Sequence, residues 1–173
     1  MQAQAFLRAV TMDESDLMNE IVNRLTEARV PYCVIGGQGI NAYVEPLVSL
    51  DLDLVVATAS IDNLLASLPA HVKIERFAHS VNVSAAGSDL RVQLQTDPRY
   101  AEFPERASER LVLGRRLRVA DVRDLLAGKV WAVADPTRRA SKRQKDLADI
   151  ARLVERYPEL RSAVPRDILD RLI

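Results

Sequence analysis

The chain has 173 residues, 24 of them basic and 24 acidic, and 48% of its residues are hydrophobic. This composition fits one globular domain, or a domain with a helical extension, with a substantial core. The balanced net charge does not suggest generic nucleic-acid binding. No apolar run approaches the ~20 residues of a membrane-spanning helix, and the first residues lack a signal-peptide pattern. These two features lead us to expect no membrane association. Because Cys33 is the only cysteine, an internal disulfide is excluded, which favours a reducing cytoplasm.

Charge is distributed unevenly along the chain. Residues 1–98 contain six Lys/Arg and twelve Asp/Glu, whereas residues 99–145 contain thirteen Lys/Arg and six Asp/Glu. An acidic half that binds metal and a basic half that binds phosphate would suit a cleft for a metal-bound polyanion. Solvated, arginine-rich helices would produce the same distribution, so the pattern alone leaves both interpretations open.

Hydrophobic periodicity predicts helices that alternate with short strands. The first helix is expected to begin at the capping-box residues Thr11–Glu14 and to end near Pro31. The predicted strands are 32–36, 50–57, 72–74, 81–83, 89–95, 111–113 and 117–119. The further predicted helices are 37–43, 60–68, 121–134, 138–156 and 166–172.

A glycine pair and two nearby aspartates are the most informative features. Gly36 and Gly37 follow the first strand, where a tight turn lets the backbone approach a phosphate. Asp51 and Asp53 alternate in the next strand and therefore project from the same face of the sheet. Two such carboxylates can together bind one or two divalent cations such as Mg²⁺. The intervening leucines are expected in the core: Leu50, Leu52 and Leu54.

These residues carry a resemblance to a known family. The stretch Val34–Ala42 followed by Asp51–Val56 resembles the signature of the DNA polymerase β-like nucleotidyltransferases, and more narrowly of small bacterial nucleotidyltransferases of abortive-infection and toxin–antitoxin systems. The segments Asp124–Lys129 and Arg143–Ile150 resemble the same group. The likeness implies an α/β fold with a small mixed sheet over residues 1–120 and a helical part, residues 121–173, packed on it.

The resemblance also implies an activity, which is transfer of a nucleoside monophosphate from an NTP such as ATP to an acceptor. The acceptor could be an RNA, a protein or a small molecule, and an antitoxin or regulatory protein is an implied partner. Mg²⁺ is the implied cofactor, with Asp51 and Asp53 as its ligands. The implied nucleotide-binding residues are Gly36, Gly37, Gln38, Ser49, Lys129, Lys145 and Asp146.

The chain departs from this family at the third catalytic carboxylate. Gln93, between Val92 and Leu94, occupies the expected position beside Asp51 and Asp53 in the catalytic set. A glutamine can coordinate a cation through its carbonyl oxygen, but it brings no negative charge and cannot act as a base. Asp89 and Asp97 lie ~13 Å from it along a strand. Three alternatives remain: an active transferase, a catalytically degenerate nucleotide-binding regulator, and an interaction module that retains the scaffold.

Lys129 and the basic run that follows it have two interpretations. Lys129 lies on or beside the apolar face of its predicted helix, so it could extend to solvent along that face or reach a triphosphate. In the next helix, the spacing predicts that Asp146 and Asp149 pair with Arg143 and Lys142.

Overall fold

A seven-stranded mixed β-sheet forms the centre of the protein in the computed structural model, which describes residues 17–172. The strands are β1 (Tyr32–Ile35), β2 (Asp51–Val56), β3 (Val72–Arg76), β4 (Ser80–Ala85), β5 (Arg91–Gln95), β6 (Ser108–Val112) and β7 (Arg115–Val119). Their order across the sheet is β3-β4-β5-β2-β1-β7-β6. The β1–β7 and β2–β5 pairs are parallel and the other pairs are antiparallel. The α/β fold class with a mixed sheet is thereby confirmed.

Seven α-helices surround this sheet in the described part of the chain. They are α1 (17–27), α2 (Gly36–Asn41), α3 (Thr58–Ser67), α4 (Phe103–Arg106), α5 (Val122–Ala134), α6 (Ala140–Arg156) and α7 (Arg166–Leu169). Two short 3₁₀ segments, Pro98–Tyr100 and Pro158–Ala163, complete the structure. The capping box predicted at Thr11–Glu14 lies outside the described residues. None of the described helices is long and apolar enough to cross a bilayer.

The two faces of the sheet differ in polarity because its central strands alternate. Leu52 and Leu54 of β2 are fully buried, as are Val92 and Leu94 of β5. They belong to the same hydrophobic cluster as apolar residues of α1 and α3. The intervening residues of β2 and β5 project to the opposite, polar face.

Helices α5 and α6 pack against each other, and both contact α2. The approach of α5 to α2 depends on Gly39, where a Cβ atom would lie 2.8 Å from Leu125 Cδ2 and 3.2 Å from the Val34 carbonyl oxygen. This close packing brings the inner sides of α5 and α6 near the ends of β1 and β2. The expected division between residues 120 and 121 falls in the short connection from β7 to α5.

Two predictions about apolar residues were wrong. Leu50 is 40% exposed, because β2 begins at Asp51 and Leu50 belongs to the preceding loop. The strand predicted at 111–113 is displaced, since Leu113 (φ 48°) and Gly114 (φ 78°) form the turn between β6 and β7. Two successive residues with positive φ are typical of a type I′ hairpin turn, whose twist matches that of the strands.

Candidate active site

A cleft lies between the polar face of the sheet and the inner sides of α5 and α6. Its floor includes Asp51, Asp53 and Gln93, and its opposite wall includes Lys129 and Asp146. The cleft is open to solvent and contains about 840 Å³ of space not occupied by protein atoms. The structure therefore brings together the predicted carboxylates, Gln93 and the predicted α5 and α6 residues in one cavity.

Gly36 is required by the position of Asp53. It has φ +66°, and a Cβ atom there would clash with Oδ2 of Asp53 and lie 3.1 Å from its Cγ. The β1–β2 register explains this proximity, since Ile35 pairs with Asp53 and the chain turns at the next residue. The glycine thus allows the Asp53 carboxylate to pack directly against the β1–α2 turn.

The Asp53 carboxylate lacks a protein partner for one of its oxygens. Its Oδ1 is shielded from solvent and accepts no hydrogen bond within the described residues. Burial raises the pKa of Asp53 to about 6, although Lys129 acts to lower the pKa, and the Asp51 carboxylate adds to the increase. A shielded carboxylate oxygen without a donor is costly, so the donor set here fits a bound cation.

Asp51 is in a different environment, at the start of β2. It lies opposite Arg91 of β5 in the parallel ladder, and the Arg91 Nη2 is 2.9 Å from its Oδ1. The Asp51 side chain is 35% exposed and that of Arg91 is 49% exposed. Arg91 was missed by the sequence analysis, because its neighbour across the sheet depends on a register that the chain order does not reveal.

Gln93 lies directly between two polar neighbours on the sheet. It pairs with Asp53 of β2 on one side and with Asn82 of β4 on the other. Within residues 17–172 no group of three or more His, Cys, Asp or Glu side chains could hold a metal ion. The oxygen set available at this floor is therefore two carboxylates and one amide.

Lys129 is held in the wall of the cleft by two carboxylates of α6. Its Nζ lies 2.9 Å from Asp146 Oδ1 and 2.8 Å from Asp149 Oδ2, and its side chain is only 14% exposed. Burial acts to lower the pKa of Lys129, but the Asp149 and Asp146 carboxylates outweigh it and raise the pKa above its ordinary value. Lys129 is therefore a permanently charged, buried ammonium rather than a side chain extended to bulk solvent.

The expected pairs of Asp146 and Asp149 with Arg143 and Lys142 are not observed, although one observed partner, Arg152, lies on the same helix. Arg138 Nε donates to Asp146 Oδ2 at 2.8 Å, and Arg152 Nη1 donates to Asp149 Oδ1 at 2.8 Å. Both aspartates are buried against α5. Arg143 and Lys142 lie three and four residues before Asp146 on the helix, but packing against α5 makes Lys129 the partner that both aspartates share.

Other predicted nucleotide-binding residues have distinct surroundings. Gln38 is buried, and its Nε2 donates to the Ser49 carbonyl oxygen at 2.8 Å. The Ser49 hydroxyl accepts from the Asp51 amide at 3.4 Å and lines the cleft beside Gly37. Lys145 is exposed at the cleft rim. Gln38 thus anchors the loop that leads into β2, while Ser49, Gly37 and Lys145 are accessible to a ligand.

An aromatic cluster borders a second recess of the same cleft, and the sequence analysis did not identify it. Tyr100 packs edge-to-face on Phe103 and on Trp131, with ring centroids 5.0 and 5.2 Å apart. A Cβ atom at Gly128 would lie 3.2 Å from the Tyr100 ring, so a glycine lets α5 pack this closely. The recess is continuous with the Asp53 site, because Asp53 and Lys129 also line it.

Comparisons with known proteins give a family and solved structures of similar fold. Residues 36–172 match the family described as "Nucleotidyl transferase AbiEii toxin, Type IV TA system". No curated protein sequence matches significantly.

Solved structures of similar shape also exist. The crystal structure of ANT(2″)-Ia in complex with adenylyl-2″-tobramycin has a TM-score of 0.59 and 18% identity, with 91% of this chain and 97% of that chain covered. The lincomycin-bound lincosamide antibiotic adenylyltransferase LnuA has a TM-score of 0.54 and 12% identity, with coverages of 82% and 99%. At these identities the likeness shows a shared nucleotidyltransferase fold.

Proposed function

Because the chain belongs to the AbiEii nucleotidyltransferase toxin family, we propose that it transfers a nucleoside monophosphate from a Mg²⁺-bound NTP to an acceptor nucleophile. The observation that carries this proposal is the shielded, unpartnered Oδ1 of Asp53 on the floor of the cleft. Asp53 lies near Asp51 in β2, and the positive charge of Lys129 is the largest influence that lowers the pKa of Asp53. A cation and the polyphosphate that it accompanies would satisfy these groups together.

Asp51 and Asp53 would hold the cation, with the Gln93 carbonyl oxygen as a neutral third ligand. Carboxylate and amide oxygens are the ligands that Mg²⁺ accepts in proteins. When bound, the cation would neutralise charge on the triphosphate and align the pyrophosphate leaving group. For Asp51 to take part, the Arg91 guanidinium must share or release its Oδ1. Arg91 is half exposed, so its movement costs little packing.

The wall of the cleft would bind the phosphates. Lys129 is charged and oriented by Asp146 and Asp149 before any ligand arrives, so no ordering of this long side chain is needed at binding. Lys142 and Lys145 line the same cavity nearer to solvent, where they can contact the outer phosphates. In this proposal Asp146 contributes by holding Lys129 and Arg138 rather than by touching the nucleotide.

Gln93 limits the chemistry of the acceptor. Deprotonation of an acceptor hydroxyl by a positioned base is typically worth ~10²–10⁴-fold in rate, and a glutamine cannot supply it. We therefore propose slow transfer with tight Mg·NTP binding, unless the acceptor arrives with a low pKa. The same observation favours one alternative function, a nucleotide-binding regulator that does not transfer.

Because the family is described as a toxin family, the proposal includes an effect on bacterial growth. We propose that expression of the chain without a cognate antitoxin slows bacterial growth, and that Asp53→Asn relieves this effect. The acceptor that is modified would be found as the cellular component that gains label from an α-³²P-labelled NTP.

A binding and transfer experiment tests the proposal directly. Mg²⁺-dependent binding of each NTP is titrated for the native chain, for Asp53→Asn and for Asp62→Asn as a matched surface control. Asp62 is 83% exposed and pairs with Arg76 outside the cleft. We expect at least a 100-fold loss of affinity for Asp53→Asn alone. Equal affinities in all three proteins would refute the metal site, and binding without any transfer to cell extract would establish the regulator.

A further inference from the structure

Three polar residues form a row across three neighbouring strands beside the proposed cation site. Asp53 of β2 pairs with Gln93 of β5, and Gln93 pairs with Asn82 of β4. Paired residues on adjacent strands project from the same face, with Cβ atoms about 5 Å apart. The Gln93 amide therefore lies between the Asp53 carboxylate and the Asn82 amide.

Both outer members of this row hold an unsatisfied acceptor. The Oδ1 of Asp53 and the Oδ1 of Asn82 are shielded from solvent, and neither has a hydrogen-bond partner among the described residues. Gln93 thus donates to neither of them in this structure. Shielded acceptors without donors are uncommon in folded proteins, and each one calls for an explanation.

An amide differs from a carboxylate in having two unlike ends. If Gln93 is to serve a cation, its Oε1 must face the Asp53 side, because its NH₂ group would be repelled there. The Nε2 donors then point away from the cation, toward β4, where the shielded Asn82 Oδ1 accepts. A carboxylate in place of Gln93 would need no such partner, since both of its oxygens are acceptors.

We propose that Asn82 is a positioning residue for Gln93. In the cation-bound protein, Asn82 Oδ1 accepts a hydrogen bond from Gln93 Nε2 and thereby turns Gln93 Oε1 toward the site formed by Asp51 and Asp53. This inference rests on the proposed function and adds a residue, Asn82, that lines neither recess of the cleft. It also explains how a neutral residue serves where the family resemblance implies a charged one.

The test compares Asn82→Leu, Asn82→Asp, Gln93→Leu and the double variant Asn82→Leu/Gln93→Leu. Isothermal titration measures the affinity for an ATP analogue with a methylene group between the α and β phosphates, with Mg²⁺ and with EDTA. We expect about a tenfold loss of Mg²⁺-dependent affinity for Asn82→Leu, as is usual for residues that orient metal ligands. Asn82→Asp keeps the acceptor oxygen and should retain the affinity, while affinity in EDTA stays constant throughout.

Coupling between the two residues provides the second readout. If Asn82 acts through Gln93, the double variant should bind Mg²⁺ and analogue no more weakly than Gln93→Leu alone. In ¹⁵N spectra of the native chain, the Gln93 side-chain amide should shift on addition of Mg²⁺ and analogue, and this shift should be reduced in Asn82→Leu.

Additive losses in the double variant, or an unchanged affinity in Asn82→Leu, would overturn the inference. Asp53→Asn separates that result from failure of the proposed function. If Asp53→Asn loses Mg²⁺-dependent binding and Asn82→Leu does not, the cation site stands and the positioning role is wrong. If Asp53→Asn also binds normally, the proposed function itself has failed.

Discussion

The shielded aspartates of the cleft differ in whether their carboxylate oxygens have partners within the protein. Asp146 and Asp149 on α6 are each paired with two cationic side chains, and they share Lys129. Asp53 on β2 leaves Oδ1 without a partner and has a raised pKa. The helical pair is therefore satisfied within the fold, whereas Asp53 Oδ1 has no hydrogen-bond partner among the described residues.

The largest effect on the free energy of unfolding is expected when the ion pairs of Asp146 are removed. Asp146→Ala removes the partner of both Lys129 and Arg138 and leaves a buried ammonium with one carboxylate. Removing one member of a buried ion pair typically costs about 3–5 kcal/mol, and we expect about 3 kcal/mol here from urea unfolding. Asp62→Ala, at an exposed pair, should cost less than about 0.5 kcal/mol. Equal costs for the two variants would show that the helical network is not structural.

Adding a third carboxylate beside Asp53 should raise the rate of nucleotidyl transfer. Gln93→Asp supplies the third carboxylate beside Asp53, and we expect transfer to increase by about 10²-fold because an acceptor proton can then be removed. The control is Gln93→Asn, whose side chain is as short as that of aspartate but carries no charge. If the native chain already transfers at about 1 s⁻¹ or more and Gln93→Asp changes nothing, another group activates the acceptor.

Asp53→Asn should stabilise the chain in the absence of Mg²⁺. Burial raises the pKa of Asp53 from 3.8 to about 6, so the folded chain binds this proton more tightly than the unfolded chain does. Stability is therefore lost as pH rises through this range, and the full penalty applies above about pH 6. The stability gain from Asp53→Asn should be near zero at pH 4 and about 2–3 kcal/mol at pH 8, since each tenfold change in proton affinity is worth about 1.4 kcal/mol.

Thermal unfolding of both proteins in EDTA across this pH range is the measurement. A gain that is independent of pH would show that the carboxylate does not titrate as described. A loss of stability at pH 8 would mean that Asp53 is structurally satisfied.

The smallest effect concerns the exposed partner of Asp51. Arg91→Ala removes the cation that occupies Asp51 Oδ1, and such partly exposed pairs contribute only about 0–1 kcal/mol to stability. Mg²⁺-dependent binding should strengthen by about 2–5-fold at low salt and less at high salt, because the competing charge is lost. Arg76→Ala, at a surface pair outside the cleft, should leave binding unchanged. Weaker binding in Arg91→Ala would instead identify Arg91 as a ligand contact.

Local patterns in the sequence were sufficient for the elements that depend on neighbouring residues. The turn at Gly36, the alternation of Asp51 and Asp53, and the long helices α5 and α6 follow from backbone freedom and hydrophobic periodicity. The resemblance to toxin-type nucleotidyltransferases is confirmed by the family match over residues 36–172. The roles assigned to individual site residues stay proposals.

The limits of the sequence analysis lie where distant segments meet. The sequence predicts pairs of Asp146 and Asp149 with Arg143 and Lys142, whereas α5 supplies Lys129, the segment before α6 supplies Arg138, and Arg152 is the one observed partner on the same helix. Arg91 and Asn82 became visible only through the strand register. The alternation predicts Leu50 in the core, but Leu50 lies one residue before β2 begins.

By itself, the sequence determined which residue types are present and which of them share a local face: two alternating carboxylates after a glycine turn, and a glutamine where a third carboxylate is implied. Tertiary structure decided which charges neutralise each other and which carboxylate oxygen is left without a partner. The physical reason is that hydrogen-bond satisfaction and desolvation depend on what packs from across the cleft. Whether Asp53 is an ordinary surface acid or a shielded carboxylate follows from the placement of α5 and β5 over and beside it, and no local pattern contains that information.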